Sequence, residues 1–230
     1  EGNKYIFKAD KLKGARIYLD FASVGATINI MLAAVKAEGT TYISNAAKEP
    51  EIVNIASLLN NMGAKITGAG TSEIKIEGVE KLGKGVIDVI PDRIEAGTYT
   101  IIGALLGKDL KISGIIEEHI DALLSKLKEM GVPLEVNDNS LTINKPDSFK
   151  PINVKTLVFP GFATDLGQPM SVLLTQANGM SIFEETIYEN RFQNLLELEK
   201  MGSISKISND NRKAVITGKT NLTGTNVNAT

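Results

Sequence analysis

Arginine is the scarcest charged residue in this sequence, and two of its copies stand in settings suited to anions. Only Arg16, Arg93, Arg191 and Arg212 occur, against 21 lysines. A guanidinium offers a planar fork that matches carboxylate and phosphate better than a point-like ammonium does. Arg93 lies in Asp92-Arg93-Ile94-Glu95-Ala96-Gly97-Thr98, where a helix begins, and Arg191 lies in Tyr188-Glu189-Asn190-Arg191-Phe192. Both also suit surface or structural ion pairs, the commoner fate of a charged side chain. Asp165 follows a Pro/Gly turn, Phe159-Pro160-Gly161-Phe162-Ala163-Thr164, where a chain is exposed yet rigid. An aspartate so placed can cap a helix, take a proton or hold a substrate hydroxyl.

Three helix starts are small and polar: Ala22-Ser23-Val24-Gly25-Ala26-Thr27, Glu95-Ala96-Gly97-Thr98 and Ala163-Thr164-Asp165-Leu166-Gly167-Gln168. Unpaired N–H groups and the positive end of the dipole suit an anion or a sugar diphosphate there. Ordinary N-capping by Ser23 or Asp165 accounts for the same residues. Glu49 sits between a strand and a helix, beside Pro50 and Glu51. Proline at the first helical position and an acid in the first turn need no further explanation, and a function for Glu49 would need more than these residues supply. His119, near another helix start, reads as structural.

Composition narrows the chemistry. There is no Cys and one His, so thiolate nucleophiles, disulfides and multi-His metal sites are excluded within these 230 residues, and no cofactor motif or metal-ligand spacing occurs. Net charge is −2 with 43% hydrophobic residues, which argues against a general nucleic-acid binder and against disorder. No run approaches the roughly 18 apolar residues of a membrane-spanning helix. The charged start, EGNKYIFKAD, does not read as a signal peptide.

The elements that must position these residues repeat. Met62-Gly63, Met130-Gly131 and Met201-Gly202 recur at spacings of 68 and 71, each closing a segment of helical periodicity. The Gly suits a left-handed position just past a helix end. After each comes an alternating pair of strands joined by turn residues, which reads as a hairpin. Upstream lie a second helix (TINIMLAAVKA, TYTIIGALLG, MSVLLTQANG) and another strand (TTYISNA, LKISGI, MSIFEET). The unit is strand–helix–strand–helix–strand–strand, about 70 residues long and present three times, and such units bury a core by stacking. Polar linkers run over 80–85 and 144–151.

The strings SVGATINIMLAAVKAEGTTYISNAAKEPEI, MGAKITGAGTSEIKIEGVEKL, PDRIEAGT, FPGFATDLGQP and ETIYENRF resemble the UDP-N-acetylglucosamine 1-carboxyvinyltransferases, enolpyruvyl transferases of peptidoglycan synthesis. The resemblance runs through almost the whole chain. It implies an inside-out α/β barrel of repeated βαβαββ units, three present of an expected six. Residues 1–90 would end one domain and 91–230 would form two repeats of the other, with the active site in the cleft between them. It implies a cytoplasmic enzyme of cell-wall biogenesis, serving cell shape and cell division. Its substrates would be UDP-N-acetylglucosamine and phosphoenolpyruvate, with no cofactor, metal, nucleic acid or membrane partner. Ser23, Val24 and Gly25 match the loop that holds the UDP moiety. Asp165 matches the aspartate beside the sugar's 3-hydroxyl, and Ile187 an apolar position near the nucleotide sugar. Arg93 and Arg191 match charged cleft positions, with Asp92 and Glu49 in neighbouring motifs.

Departures matter too. Phe21 stands where many members carry a basic residue. The family's reactive loop (with Cys or Asp), its Lys-Asn pair for phosphoenolpyruvate and a further Arg and Asp have no counterpart in this sequence. The expectation is therefore an internal piece of a longer protein, inactive alone, with the missing flanking segments as its natural partners. Two other readings make different predictions. A 5-enolpyruvylshikimate-3-phosphate synthase-like transferase would take shikimate 3-phosphate, and a non-catalytic repeat module would do no enolpyruvyl chemistry.

Overall fold

Alternating and helical apolar patterns fold into two compact units, divided between Ile90 and Pro91 in a computed structural model that describes residues 6 and 8–229. In the first unit, β1 (Arg16–Tyr18), α1 (Val24–Ala34), β2 (Thr40–Ser44), α2 (Pro50–Asn61), β3 (Lys65–Thr67) and β4 (Glu73–Glu77) follow in order. Their sheet runs β1-β2-β4-β3, with β1 and β2 parallel and the other pairs antiparallel. Alternation along β4 puts Ile74 and Ile76 on the inner face, where they pack with Met31, Ile43 and Ile52, all fully buried.

The second unit begins with α3 (Arg93–Leu106), β5 (Leu110–Ser113), α4 (Asp121–Glu129), β6 (Leu134–Asn137) and β7 (Ser140–Ile143). It continues with β8 (Asn153–Lys155), α5 (Gly167–Leu174), β9 (Met180–Glu184), α6 (Gln193–Lys200), β10 (Ile204–Ile207) and β11 (Lys213–Thr217). The sheet β8-β9-β11-β10 has the strand order of the first unit's sheet, with β8 and β9 parallel. The remaining sheet, β5-β7-β6, has three strands. Residues 78–92 hold no regular element, so the second copy of the sequence unit lacks its opening strand. Among the described residues no strand pairs with this stretch, and Val86 and Val89 along it are exposed.

The three Met-Gly pairs act as helix stops. Met62, Met130 and Met201 are the C-caps of α2, α4 and α6. Gly63, Gly131 and Gly202 follow at φ of 100°, 89° and 99°, where an L side chain would crowd the backbone. Each helix thus ends in the reversal that launches its hairpin.

Phe183 on β9 is the pin of the second unit. It is fully buried and meets Phe162 and Phe192 edge-on, at centroid distances of 6.2 and 5.9 Å. Such contacts fix ring orientation as well as burying area. Phe162 precedes Asp165 by one short turn and Phe192 directly follows Arg191, so this aromatic triplet ties the two loops that carry those residues to the sheet.

Candidate active site

In the first unit, α1 and α2 both start beyond the C-terminal ends of parallel strands, where open α/β sheets place their ligands. The loops before them are stitched together. Leu19 N–H donates to Ser44 O at 3.1 Å and Asn45 Nδ2 donates to Leu19 O at 2.8 Å. Ala47 N–H donates to Thr27 Oγ1 at 3.0 Å, and that hydroxyl donates to Ser23 O at 2.8 Å. Ser23 is the N-cap of α1, its Oγ accepting from Ala26 N–H at 3.2 Å. The N–H groups of Val24 and Gly25 are among those a helix start leaves without an internal acceptor. Gly25 is exposed, and a β-carbon there would find nothing within 4 Å. Packing within the chain therefore does not demand a glycine; an open approach to the backbone does account for one.

Glu49 is the N-cap of α2 by backbone position, with Pro50 in the first turn, but its side chain makes no capping bond. It is buried, and its Oε2 has no hydrogen-bond partner. A buried carboxylate oxygen left without a donor costs free energy, so this is an unmet acceptor near the stitched loops.

In the second unit, Arg191 Nη2 donates to Asp165 Oδ1 at 2.5 Å. The Arg191 guanidinium lies 5.2 Å from the Tyr188 ring centroid, and its Nε is buried without a partner. Asp165 stands within the 3-10 turn Thr164–Leu166 that leads into α5, and neither that turn nor α5 takes a cap bond from its side chain. The capping explanation suffices for Ser23 but not for Asp165. Asp92 is the reverse case. It caps α3, its Oδ1 accepting from Ile94 N–H at 2.7 Å and Glu95 N–H at 3.3 Å. That helix starts at Arg93, so Glu95-Ala96-Gly97-Thr98 lies inside it rather than at its start. Arg93 sits 5.8 Å from the ring centroid of Phe159, which opens the segment ending in Asp165. The fold thus pairs Asp165 with Arg191 and seats Arg93 on Phe159 at the start of the Asp165 segment, while Asp92 caps the helix that Arg93 begins.

Half-buried Ile187 is held through its backbone by a residue that motif spacing alone does not single out. Glu185 is 1% exposed and takes four hydrogen bonds. Its Oε1 accepts from Thr156 Oγ1, Ile187 N–H and Tyr188 N–H at 2.9, 2.7 and 3.0 Å, and its Oε2 from Thr164 Oγ1 at 2.8 Å. The signal for it was strand alternation. Ser181, Phe183 and Glu185 fall on the buried face of one extended segment, so a glutamate occupies an inward position.

Among the described residues, no group of three His, Asp or Glu converges as a metal site, and no helix is long and apolar enough to cross a membrane.

Known proteins share this sequence and this fold. The chain is 52% identical over 97% of its length to UDP-N-acetylglucosamine 1-carboxyvinyltransferase 2 of Listeria monocytogenes, and 54% identical over 96% to that of Bacillus subtilis. It spans about half the length of these curated relatives, 52% in each case. Among solved structures, the enolpyruvyl transferase NikO from Streptomyces tendae superposes with a TM-score of 0.83 at 24% identity, over 92% of this chain and 52% of that one. The EPSP synthase of Acinetobacter baumannii gives 0.67 at 21%, over 91% of this chain and 49% of that one. These two likenesses establish the enolpyruvyl transferase fold. A family model for EPSP synthase (3-phosphoshikimate 1-carboxyvinyltransferase) matches residues 2–230, and the chain belongs to that family.

Proposed function

We propose that the complete protein transfers the enolpyruvyl group of phosphoenolpyruvate to the 3-hydroxyl of UDP-N-acetylglucosamine, releasing phosphate and so committing the sugar to peptidoglycan synthesis. The observation that carries this reading is the identity of about half of all residues, over nearly the whole chain, with relatives named for that transfer. On this reading the protein works in the cytoplasm, and the chain comprises three of six βαβαββ repeats. Residues 1–90 end one domain and 91–230 supply two repeats of the other.

The net reaction forms a bond between the sugar oxygen and the enolpyruvyl carbon and breaks that carbon's bond to phosphate oxygen. The hydroxyl proton needs an acceptor. Asp165 takes it: Oδ1 is engaged by Arg191, and a carboxylate has a second oxygen with which to accept. Arg191 orients that carboxylate, and its guanidinium brings positive charge to the place where the substrate's negative charge would lie. Arg93 supplies a second guanidinium at the first position of α3, the helix that Asp92 caps. Ser23, Val24 and Gly25 hold the UDP moiety on the helix start that Gly25 leaves open. Ile187 gives the nucleotide sugar an apolar contact, and Glu49 supplies negative charge beside the loops that hold the UDP moiety.

The test is phosphate release by the purified complete protein. With phosphoenolpyruvate, release is expected on adding UDP-N-acetylglucosamine and not on adding shikimate 3-phosphate. The opposite preference would assign the 3-phosphoshikimate reaction for which the family model is described. No release with either would leave a non-catalytic repeat module.

A further inference from the structure

The least expected group in the second unit is the Glu185 carboxylate. Among the described residues, Glu49 and Glu185 are the buried acids, and only Glu185 is met on both oxygens. Burying a carboxylate is costly, and the cost is offset here by two hydroxyls and two backbone amides. A valine or leucine at this inward position of the strand would fill the space without polar partners. The choice of an acid needs a reason, and its partners supply one.

The four donors come from two different loops. Thr156 and Thr164 belong to the segment that ends in Asp165. Ile187 and Tyr188 begin the loop that ends in Arg191. A second set of bonds runs between the same loops, Thr186 N–H donating to Thr156 Oγ1 at 2.9 Å and Thr186 Oγ1 donating to Thr156 O at 2.6 Å. The Arg191 loop is also held at its tip, where Asn211 Nδ2 donates to Asn190 Oδ1 at 3.0 Å. That contact is exposed, whereas the Glu185 clamp is buried and spans both loops. One Glu185 oxygen holds the residue directly before Asp165, and the other holds residues three and four positions before Arg191.

We infer that Glu185 is a positioning residue for the transfer, setting the separation of Asp165 and Arg191 by clamping their two loops. The inference rests on the reading of Asp165 as the proton acceptor. It assigns Glu185 no contact with substrate. An amide replaces the carboxylate poorly: its oxygen can keep the Oε1 partners only if its NH2 faces Thr164, whose hydroxyl must then accept instead of donate, and the charge-assisted bonds across the two loops are weakened. Thr164 is the matching half of the device, and serine should serve there while valine should not.

The experiment uses the complete protein and steady-state kinetics with UDP-N-acetylglucosamine and phosphoenolpyruvate. Asp165→Asn, Glu185→Gln and the double variant are compared, with thermal unfolding as a control. Glu185→Gln is expected to lower kcat by about tenfold to a hundredfold, the scale of a small misplacement of reacting groups, with KM for the UDP-sugar changed less than about threefold. In the Asp165→Asn background the same substitution should lower kcat no further. If Asp165→Asn lowers kcat and Glu185→Gln does not, the positioning role is overturned while the reading of Asp165 stands. Equal losses from Glu185→Gln in both backgrounds also overturn it, since the clamp would not act through Asp165. An unchanged kcat in Asp165→Asn overturns the reading and the inference with it. If Glu185→Gln does not fold, Thr164→Val and Thr164→Ser decide. A loss in the first and near-normal kcat in the second supports the clamp, and the same outcome in both contradicts it.

Discussion

Arg191 donates to Asp165 at 2.5 Å although 26 residues separate them along the chain. Asp165 is the more exposed partner and Arg191 the more buried, so the pair contributes little to stability, about 1 kcal/mol or less for a largely solvated ion pair. Its value lies in orientation. Arg191→Lys should leave the melting temperature of the complete protein nearly unchanged. It should lower turnover by about a hundredfold, because an ammonium keeps the charge but loses the planar fork. Turnover close to that of the unsubstituted protein would show that Asp165 needs no such holder.

Gly25 separates binding from folding. Since a β-carbon there meets nothing within 4 Å, Gly25→Ala should keep or slightly raise stability, by up to about 1 kcal/mol for removing a helical glycine. If the backbone of α1 contacts the UDP moiety, the same change should weaken UDP-sugar binding about tenfold, read by titration calorimetry. Unaltered affinity would remove the first turn of α1 from the binding site.

The helix stops make a prediction about folding alone. Gly131 lies at φ 89° with open space around its missing side chain. Gly131→Ala should therefore destabilise by about 1–2 kcal/mol through backbone strain, measured by urea unfolding, with no change in KM. A neutral result would mean that the α4 turn relaxes into another conformation.

A pH effect is expected near the end of the second unit. Glu197 is held below the usual glutamate range, first by the hydrogen bond from Lys200 Nζ and then by the N–H of Asn228, which donates at 2.9 Å. A depressed carboxyl contributes stability that is present above its ordinary value and is lost as pH falls through the lowered one. Hydrogen-exchange protection at the Asn228 amide should accordingly be retained at neutral pH and fall on acidification below the ordinary glutamate range. Protection independent of pH through that window would separate Asn228 from the Glu197 carboxylate.

How much of this was legible in the residues depended on how local the determinant was. The Met-Gly stops, the hairpins after them and Ser23 as a cap all follow from a few adjacent residues. The irregular path of 78–92 does not, since a strand requires a partner ladder that local pattern cannot guarantee. Residue type makes Glu95-Ala96-Gly97-Thr98 as plausible a helix start as Asp92, and only the folded amides of Ile94 and Glu95 on Asp92 settle where α3 begins. Asp165 and Arg191 could each be singled out by type, but their pairing shows only once the fold ties their loops together, through Phe162 and Phe192 on Phe183 and through the Glu185 bonds. Glu185 is the middle case. Alternation along its strand places it inward, yet only the folded loops show that both of its oxygens are met.

The central claim is that Asp165 accepts the proton of the sugar's 3-hydroxyl. The most direct measurement is turnover and UDP-sugar affinity of Asp165→Asn in the complete protein. Turnover should drop by about a hundredfold to ten-thousandfold, the range for losing a general base, while the dissociation constant for UDP-N-acetylglucosamine moves by less than about threefold. Turnover equal to that of the unsubstituted protein would contradict the claim.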